Sequence, residues 1–299
     1  MKKILQLAGI SCLLPLLLAG PSLAETVVEK VARTGFLTVG TRFDAIPYSY
    51  INDKGELVGY SMDVLERIRK RLETRLGRPV TLQMVEANQP GEKINLIRSG
   101  EIDIACSTAF TWERAKVVDF SISYSISGIR ILARKGSNLS TPQSLIGKRI
   151  ALVPTSTAVD VIKLVQPQAT IVTTYSTVEE AIEALKTGKI DAIAGDGISL
   201  AGTILRDNPQ AYEIVPEEAL ANFGIACMVP ENNSTFLDDV NYAIVKMMQD
   251  YITNDTATVS QIDRWFGSQG MVPIPPELLK GFFAFKIIEH AQINPQEAK

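Results

Sequence analysis

The sequence predicts an α/β protein built as two lobes. Three observations carry this expectation. Helical segments alternate with short apolar strands, the pattern of mostly parallel sheets covered by helices. One helix–glycine–strand joint is written twice, as LIRSGEIDIA up to Ala105 and as ALKTGKIDAIA up to Ala194, with Gly100 and Gly188 88 residues apart. The length of 299 residues suits two domains.

The elements follow in order along the chain. Lys2 and Lys3 precede an apolar stretch from Ile4 to Ala19 broken by Pro15, and Ser22-Leu23-Ala24 puts small residues before a cut at Glu25. That is a secretory signal peptide over 1–24. A spanning anchor is the alternative, but the apolar run is short for one. Gly35 to Gly40 reads as a turn entering a strand. From Ser61 to Leu76, the apolar residues Val64, Leu65, Ile68, Leu72 and Leu76 share one helical face, and Gly77 and Pro79 stop the helix. Another helix runs to about Arg98 and ends at Gly100, followed by a strand from Ile102 to Cys106. Gly147 to Val153 is the second lobe's turn and strand. Ser176 and Glu179 form a capping-box pattern for a helix through Ala181, Ile182 and Leu185, which Gly188 ends. Ile190 to Ala194 is the matching strand. Phe282-Phe283 and Phe285 read as a stripe docking the last helix on its own core.

Composition excludes several classes. Hydrophobic residues make up 46% and charged residues 21%, as in ordinary globular chains. The 20 glycines and 15 prolines show no period, which excludes collagen and repeat arrays. The 30 basic and 33 acidic residues give a net charge of −3, which argues against a nucleic-acid surface. The single histidine, His290, leaves no basis for a histidine triad or a His-rich metal site. Phosphate loops, Cys-x-x-Cys and the nucleophile elbow are absent, and the glycines around Asp196 lack dinucleotide-loop spacing. No cofactor or metal is expected. Without the leader the balance is 28 basic to 33 acidic, a net −5, and two cysteines remain, Cys106 and Cys227. In an exported protein these either pair or stay as buried free thiols; spacing does not choose.

Ligands in open α/β sheets collect at the carboxyl ends of strands. Just past the first matched strand come Ser107, Thr108 and Arg114; just past the second comes Asp196 between Gly195 and Gly197. A guanidinium forks onto a carboxylate, and an aspartate accepts from an ammonium, so the pair suits a zwitterion. Taken singly, Arg114 also reads as an exposed ion pair with Glu113, and Asp196 as a turn or helix cap.

The run STAFTWERAKVVDFS from Ser107 resembles the signature of the family 3 periplasmic solute-binding proteins of amino-acid ABC importers. LVGYSMD at Leu57 and DRWFG at Asp263 match as well. VGTR at Arg42, GYS at Tyr60, GIACMV around Cys227 and VPIPP at Pro273 are most similar to the glutamate/aspartate-binding branch. The resemblance implies a Venus-flytrap fold of type II with two hinge strands, near Gly128 to Ile131 and Ile193 to Gly195. Lobe I would hold 25–130 and 196–299, and lobe II 131–195. It implies a monomeric binding protein in the periplasm, without catalysis, that passes an amino acid to a membrane permease.

Carried over by position, Arg114 takes the α-carboxylate, helped by the Ser107 hydroxyl or N–H and by the loop Thr155-Ser156-Thr157. Asp196 holds the α-ammonium. Arg42 stands where binders of basic and polar amino acids carry an aspartate, and favours an acidic side chain; Lys93 falls where the acidic branch has a second cation. Three positions depart from the branch. Ala109 lacks a usual hydroxyl, Val178 replaces a histidine, and Cys106 is one residue off the branch cysteine, which weakens a Cys106–Cys227 disulfide. A neutral polar amino acid therefore stays open as the ligand. An enzyme on this scaffold, such as a dehydratase, needs a proton donor in the cleft, and Asp196 has the other use. A sensory module is the remaining alternative.

Overall fold

The computed structural model describes residues 25–175 and 177–290; the leader and Cys12 lie outside the described residues. The chain opens with α1 (Val27–Thr34), capped by Thr26 and Glu29 in a capping box, and enters β1 (Phe36–Thr41) through Gly35. A small antiparallel sheet follows, from β2 (Asp44–Ala45), β3 (Ser49–Ile51) and β4 (Leu57–Val58). Helix α2 (Tyr60–Leu76) buries Val64, Leu65, Ile68 and Leu72 on one face and ends at Gly77, whose φ of 63° is left-handed. This is the apolar stripe of the sequence laid on a core. Next come β5 (Thr81–Glu86), α3 (Pro90–Ser99), β6 (Ile104–Ala109) and β7 (Asp119–Phe120). Strand β8 (Ser125–Arg134) leads into β9 (Arg149–Ala151), α4 (Thr157–Val165), β10 (Thr170–Val172), α5 (Val178–Lys186), β11 (Ala192–Asp196), α6 (Gly197–Ile204) and β12 (Tyr212–Val215). Strand β13 (Ala221–Val229) returns, and α7 (Ser234–Ile252), α8 (Thr256–Phe266) and α9 (Pro276–His290) complete the described chain. No helix among the described residues is long and apolar enough to cross a membrane.

The strands form one ten-stranded sheet whose main path runs β10-β9-β11-β8-β13-β6-β1-β5. Each end of it is parallel: β1 pairs with β5 and β6, and β9 pairs with β10 and β11. The middle is antiparallel, where β8 and β13 pair. Separate cores cover the two ends. One gathers α1, α2, α7 and α8 around Leu65, Phe236 and Phe266. On the other side, Ile131, Ile150 and Ile162 form one cluster and Leu132, Leu185 and Leu200 form another. The two matched joints become α3–β6 and α5–β11, one in each half. The two-lobed α/β expectation is met.

The division of the chain differs from the sequence reading. Leu200 and Ile204 of α6 and Tyr212 of β12 pack with Leu132, Ile182 and Ile193, in the second lobe's core. The chain therefore does not leave that lobe at Asp196. The second strand to cross is β13: Ala221 pairs with Ile129 near one core, and Ile225 pairs with Ala109 beside the other. The resemblance puts the second hinge at Ile193 to Gly195 and the boundary at 196, but there Asp196 caps α6, a helix start within the same lobe. This moves the proposed boundary from 196 to near Leu220, which packs on the second lobe.

Two smaller differences are local. The α5 cap is Thr177, whose hydroxyl accepts from the Glu180 N–H at 3.2 Å; Ser176 of the expected Ser176–Glu179 box lies outside the described residues. In the aromatic stripe, Phe283 is buried but Phe285 is 60% exposed, so only part of it docks. Cys106 and Cys227 are bonded to each other, across β6 and β13, at a register irregularity between Ala226 and Met228.

Candidate functional site

A cavity lies between the two cores, lined from one side by Arg42, Tyr48, Ser107 and Arg114 and from the other by Ser156, Thr157, Tyr175 and Asp196. It holds about 130 Å³ open to the centres of water molecules. The residues past the two matched strands do meet here, as strand-end reasoning expects.

Arg114 begins a short turn after β6 and reaches across the gap. Its Nη1 donates to the Ala109 carbonyl at 2.7 Å, and its Nη2 to the Thr155 carbonyl, from the opposite lobe, at 3.0 Å. Burial lowers its pKa below the ordinary arginine value, against the pull of Asp160. Glu113 pairs with Lys116 instead, so the simple Arg114–Glu113 ion pair does not form. Both guanidinium contacts are to neutral carbonyls. A ligand carboxylate would offer a charge-assisted partner, roughly twice as strong as a neutral one.

Asp196 satisfies two readings at once. Its Oδ1 accepts the Ser199 N–H at 2.7 Å as the α6 cap, while its Oδ2 is buried with no partner. Burial pushes its carboxyl above the usual range, with the Ser199 N–H and then the neighbouring Ser127 hydroxyl opposing; that hydroxyl is itself buried without a hydrogen bond of good geometry. Ser156, the residue before α4, has a buried hydroxyl that is also unpartnered. Buried polar atoms are normally paired. Two unpaired ones on the wall of one cavity mark where a polar ligand would bind.

Among the described residues, five other than glycine have positive φ, and Ser107 and Thr155, at 59° and 58°, are the two that are not asparagine. Such backbone is rare for threonine and concentrates at functional sites. The turn at Ser107 aims its N–H at the Tyr124 hydroxyl, 2.7 Å away, and its Oγ at Ser61, also 2.7 Å. The N–H is therefore taken and the hydroxyl proton is given to Ser61, so Ser107 keeps only the lone pairs of its hydroxyl for a ligand. Thr155 contributes its carbonyl to Arg114 rather than its side chain to the cavity, which Ser156 and Thr157 line.

The far end of the cavity is different. Arg42 lines it, but its Nε and Nη2 donate to the two Asp44 oxygens at 2.7 and 2.9 Å. It is not a free strand-end residue. Lys93 is a correction: it is 2% exposed and does not line the cavity, and its Nζ donates to the Cys106 carbonyl at 3.0 Å. It shares a buried face of α3 with Ile97, so packing draws its stem inward. Burial first, then the charges of Arg42 and Arg114, bring its ammonium down to about 7. Glu179, in the first turn of α5, is held above the usual carboxyl range by burial and by the Asp44 charge, against Arg42 and Arg206. The remaining wall is apolar, with Leu152, Val178 and Ala181; Ala109 lines it too.

Sequence reasoning missed Tyr48, Ser199, Phe223 and Asp44. Ser199 was findable, three residues into a helix that Asp196 caps. Tyr48 and Phe223 carry no motif; separate elements bring them to the wall.

Two α/β lobes joined by two crossing strands, with a largely apolar cavity between them that carries two arginines and an aspartate, define a cleft-type binding protein. The chain belongs to the bacterial extracellular solute-binding proteins, family 3, whose pattern matches residues 37–267. It is 27% identical over 265 residues to the glutamate/aspartate import solute-binding protein of Salmonella typhimurium, covering 87% of this chain and 84% of that one. The ABC transporter glutamine-binding protein of Bacillus subtilis is 29% identical, covering 84% of this chain and 94% of that one. Among solved structures, an ancestral arginine-binding protein bound to glutamine superposes with a TM-score of 0.69 at 26% identity, over 78% of this chain and 99% of that one. The ancestral precursor of cyclohexadienyl dehydratase shares the fold, with a TM-score of 0.68 at 23% identity, over 80% of this chain and 98% of that one.

Proposed function

We propose that this protein captures an L-amino acid between its lobes and delivers it to an ABC permease, after export to the periplasm through the leader at 1–24. The observation that carries the reading is the set of buried, unpaired polar atoms facing one cavity, Asp196 Oδ2 and Ser156 Oγ, with Arg114 reaching in from the opposite wall. In this reading Arg114 and Ser156 hold the α-carboxylate and Asp196 the α-ammonium. The ligand pairs both charges, and closing the lobes over it supplies the differential affinity that favours the closed state. No proton donor is assigned to chemistry, and the protein acts as a monomeric binder rather than an enzyme or sensor.

The side chain read by the far end is an acidic one, glutamate or aspartate. Arg42 on that wall supports this, as do the glutamate/aspartate-binding relatives. The bidentate Asp44 partner favours a second reading, a neutral polar side chain. Thermal unfolding of the mature protein, refolded free of carried-over ligand, against the twenty amino acids tests all of this. A ligand at 100 times its dissociation constant adds about 2.7 kcal/mol of stability. A shift with glutamate or aspartate alone supports the acidic reading. A shift with glutamine or asparagine alone supports the neutral one. No shift with any amino acid overturns the ligand class.

A further inference from the structure

We propose that Asp44 sets how strongly this site separates an anionic side chain from its uncharged amide counterpart, acting through Arg42. The proposal rests on the amino-acid reading of the cleft. Arg42 and Arg114 are the cations lining the cavity, and Asp196 is the anion. A zwitterionic head group takes up Arg114 and Asp196, so Arg42 alone is left to meet a side chain. Asp44 stands outside the lining but grips Arg42 side-on, through Nε at 2.7 Å and Nη2 at 2.9 Å. The two side chains are 20% and 22% exposed, so water screens the pair only in part.

The grip has two consequences of opposite sign. It uses two of the five guanidinium N–H groups and holds the remaining edge in one direction, which helps any acceptor on the ligand, acid or amide alike. It also places a unit negative charge beside the cation, which subtracts attraction from an anionic side chain and leaves a neutral one almost unaffected. The amide-to-acid ratio of dissociation constants cancels the first effect and isolates the second. Glu179 approaches the same neighbourhood from α5 on the other lobe without a hydrogen bond to Arg42. Its charge acts in the same direction.

The experiment measures dissociation constants for glutamate, glutamine, aspartate and asparagine by calorimetry on the refolded mature protein, then on Asp44→Asn and Glu179→Gln. Asparagine keeps the shape and one acceptor for Arg42. The ratio of the amide constant to the acid constant should rise at least about tenfold in Asp44→Asn, as expected for one unit charge removed at an effective dielectric near 20. Glu179→Gln should raise it less, with the Arg42 contacts intact. A ratio that stays within twofold of wild type in both variants, while they still bind, overturns the proposal. If Asp44→Asn does not fold, Asp44→Ser and Glu179→Gln decide it in the same way. Wild-type protein that binds no amino acid at all sinks the amino-acid reading itself, and this proposal with it.

Discussion

At one end of the cavity, Asp196 Oδ2 and Ser156 Oγ are buried without partners, and Arg114 contacts only backbone carbonyls. At the other end, Arg42 is already matched by Asp44, and the wall continues through Leu152, Val178 and Ala181. The first end needs a ligand to complete its hydrogen bonding; the second is nearly complete without one. The difference teaches where binding energy and selectivity reside. In the proposed reading, a head group common to all amino acids supplies the strong contacts. The side chain is sorted by a weaker, partly cancelled field.

The largest effect should come from breaking the unsatisfied end. Truncating one member of a buried charge pair costs ~2–5 kcal/mol. Arg114→Ala is therefore expected to lower the affinity for every amino acid that binds, by about thirtyfold or more, while circular dichroism and the ligand-free unfolding midpoint stay close to wild type. An affinity loss confined to acidic amino acids would reverse the comparison, placing Arg114 at the selective end.

A smaller effect should come from blocking closure without touching either end. Helix α6 begins at the Asp196 cap, and its middle presses on the other lobe. A Cβ built on Gly202 would lie 2.6 Å from the Ile46 carbonyl oxygen and 2.6 Å from its Cγ2. Beyond the helix, Arg206 donates to the Ile51 carbonyl at 2.7 Å and lies 4.9 Å from the Tyr50 ring centre. Alanine is a better helix former than glycine by about 1 kcal/mol, so Gly202→Ala should not unfold the lobe. Overpacking costs about 1–3 kcal/mol, and only the closed state bears it. The expected outcome is affinity reduced about tenfold for acids and amides equally, with a larger radius of gyration in solution scattering under saturating ligand. Unequal losses would show that α6 takes part in side-chain selection.

Much of this architecture was legible in the sequence, for reasons that are local. The stripe Val64, Leu65, Ile68 and Leu72 fixes α2 because its period needs no distant information. Arg114 and Asp196 both come to the cavity because the ends of the matched strands converge there. The second crossing strand was not legible. Whether Ala221–Val229 bridges the lobes depends on its pairing with β8, nearly a hundred residues earlier in the chain. Lys93 was misjudged for a different reason. Spacing alone puts it on the same face as Ile97, but only the packed helix shows that face turned to the core. Asp44, two residues from Arg42, shows that even an adjacent partner goes unseen when a position is matched singly.

Lys93 gives the smallest test, and it bears on how far the satisfied end extends. Its ammonium is buried against the Cys106 carbonyl, with Arg42 and Arg114 disfavouring its charge and Asp44 and Glu92 favouring it. Its pKa is therefore lowered from the ordinary 10.5 to about 7. Between those values the unfolded chain holds a proton that the folded chain has released. Stability must then rise with pH across that window, and below about 7 the full penalty of a buried charge is present. Lys93→Met removes the titration. Its advantage over wild type, read as the difference in unfolding free energy, should be greatest at mildly acidic pH and shrink by ~1 kcal/mol as the pH rises one unit above the lowered pKa. Measured a unit or more above that lowered pKa, where the lysine is mostly neutral, the same variant should leave the amide-to-acid ratio nearly unchanged. A flat stability difference together with a lost preference for acids would bring Lys93 into the cavity, and the far end would then carry two cations against Asp44 instead of one.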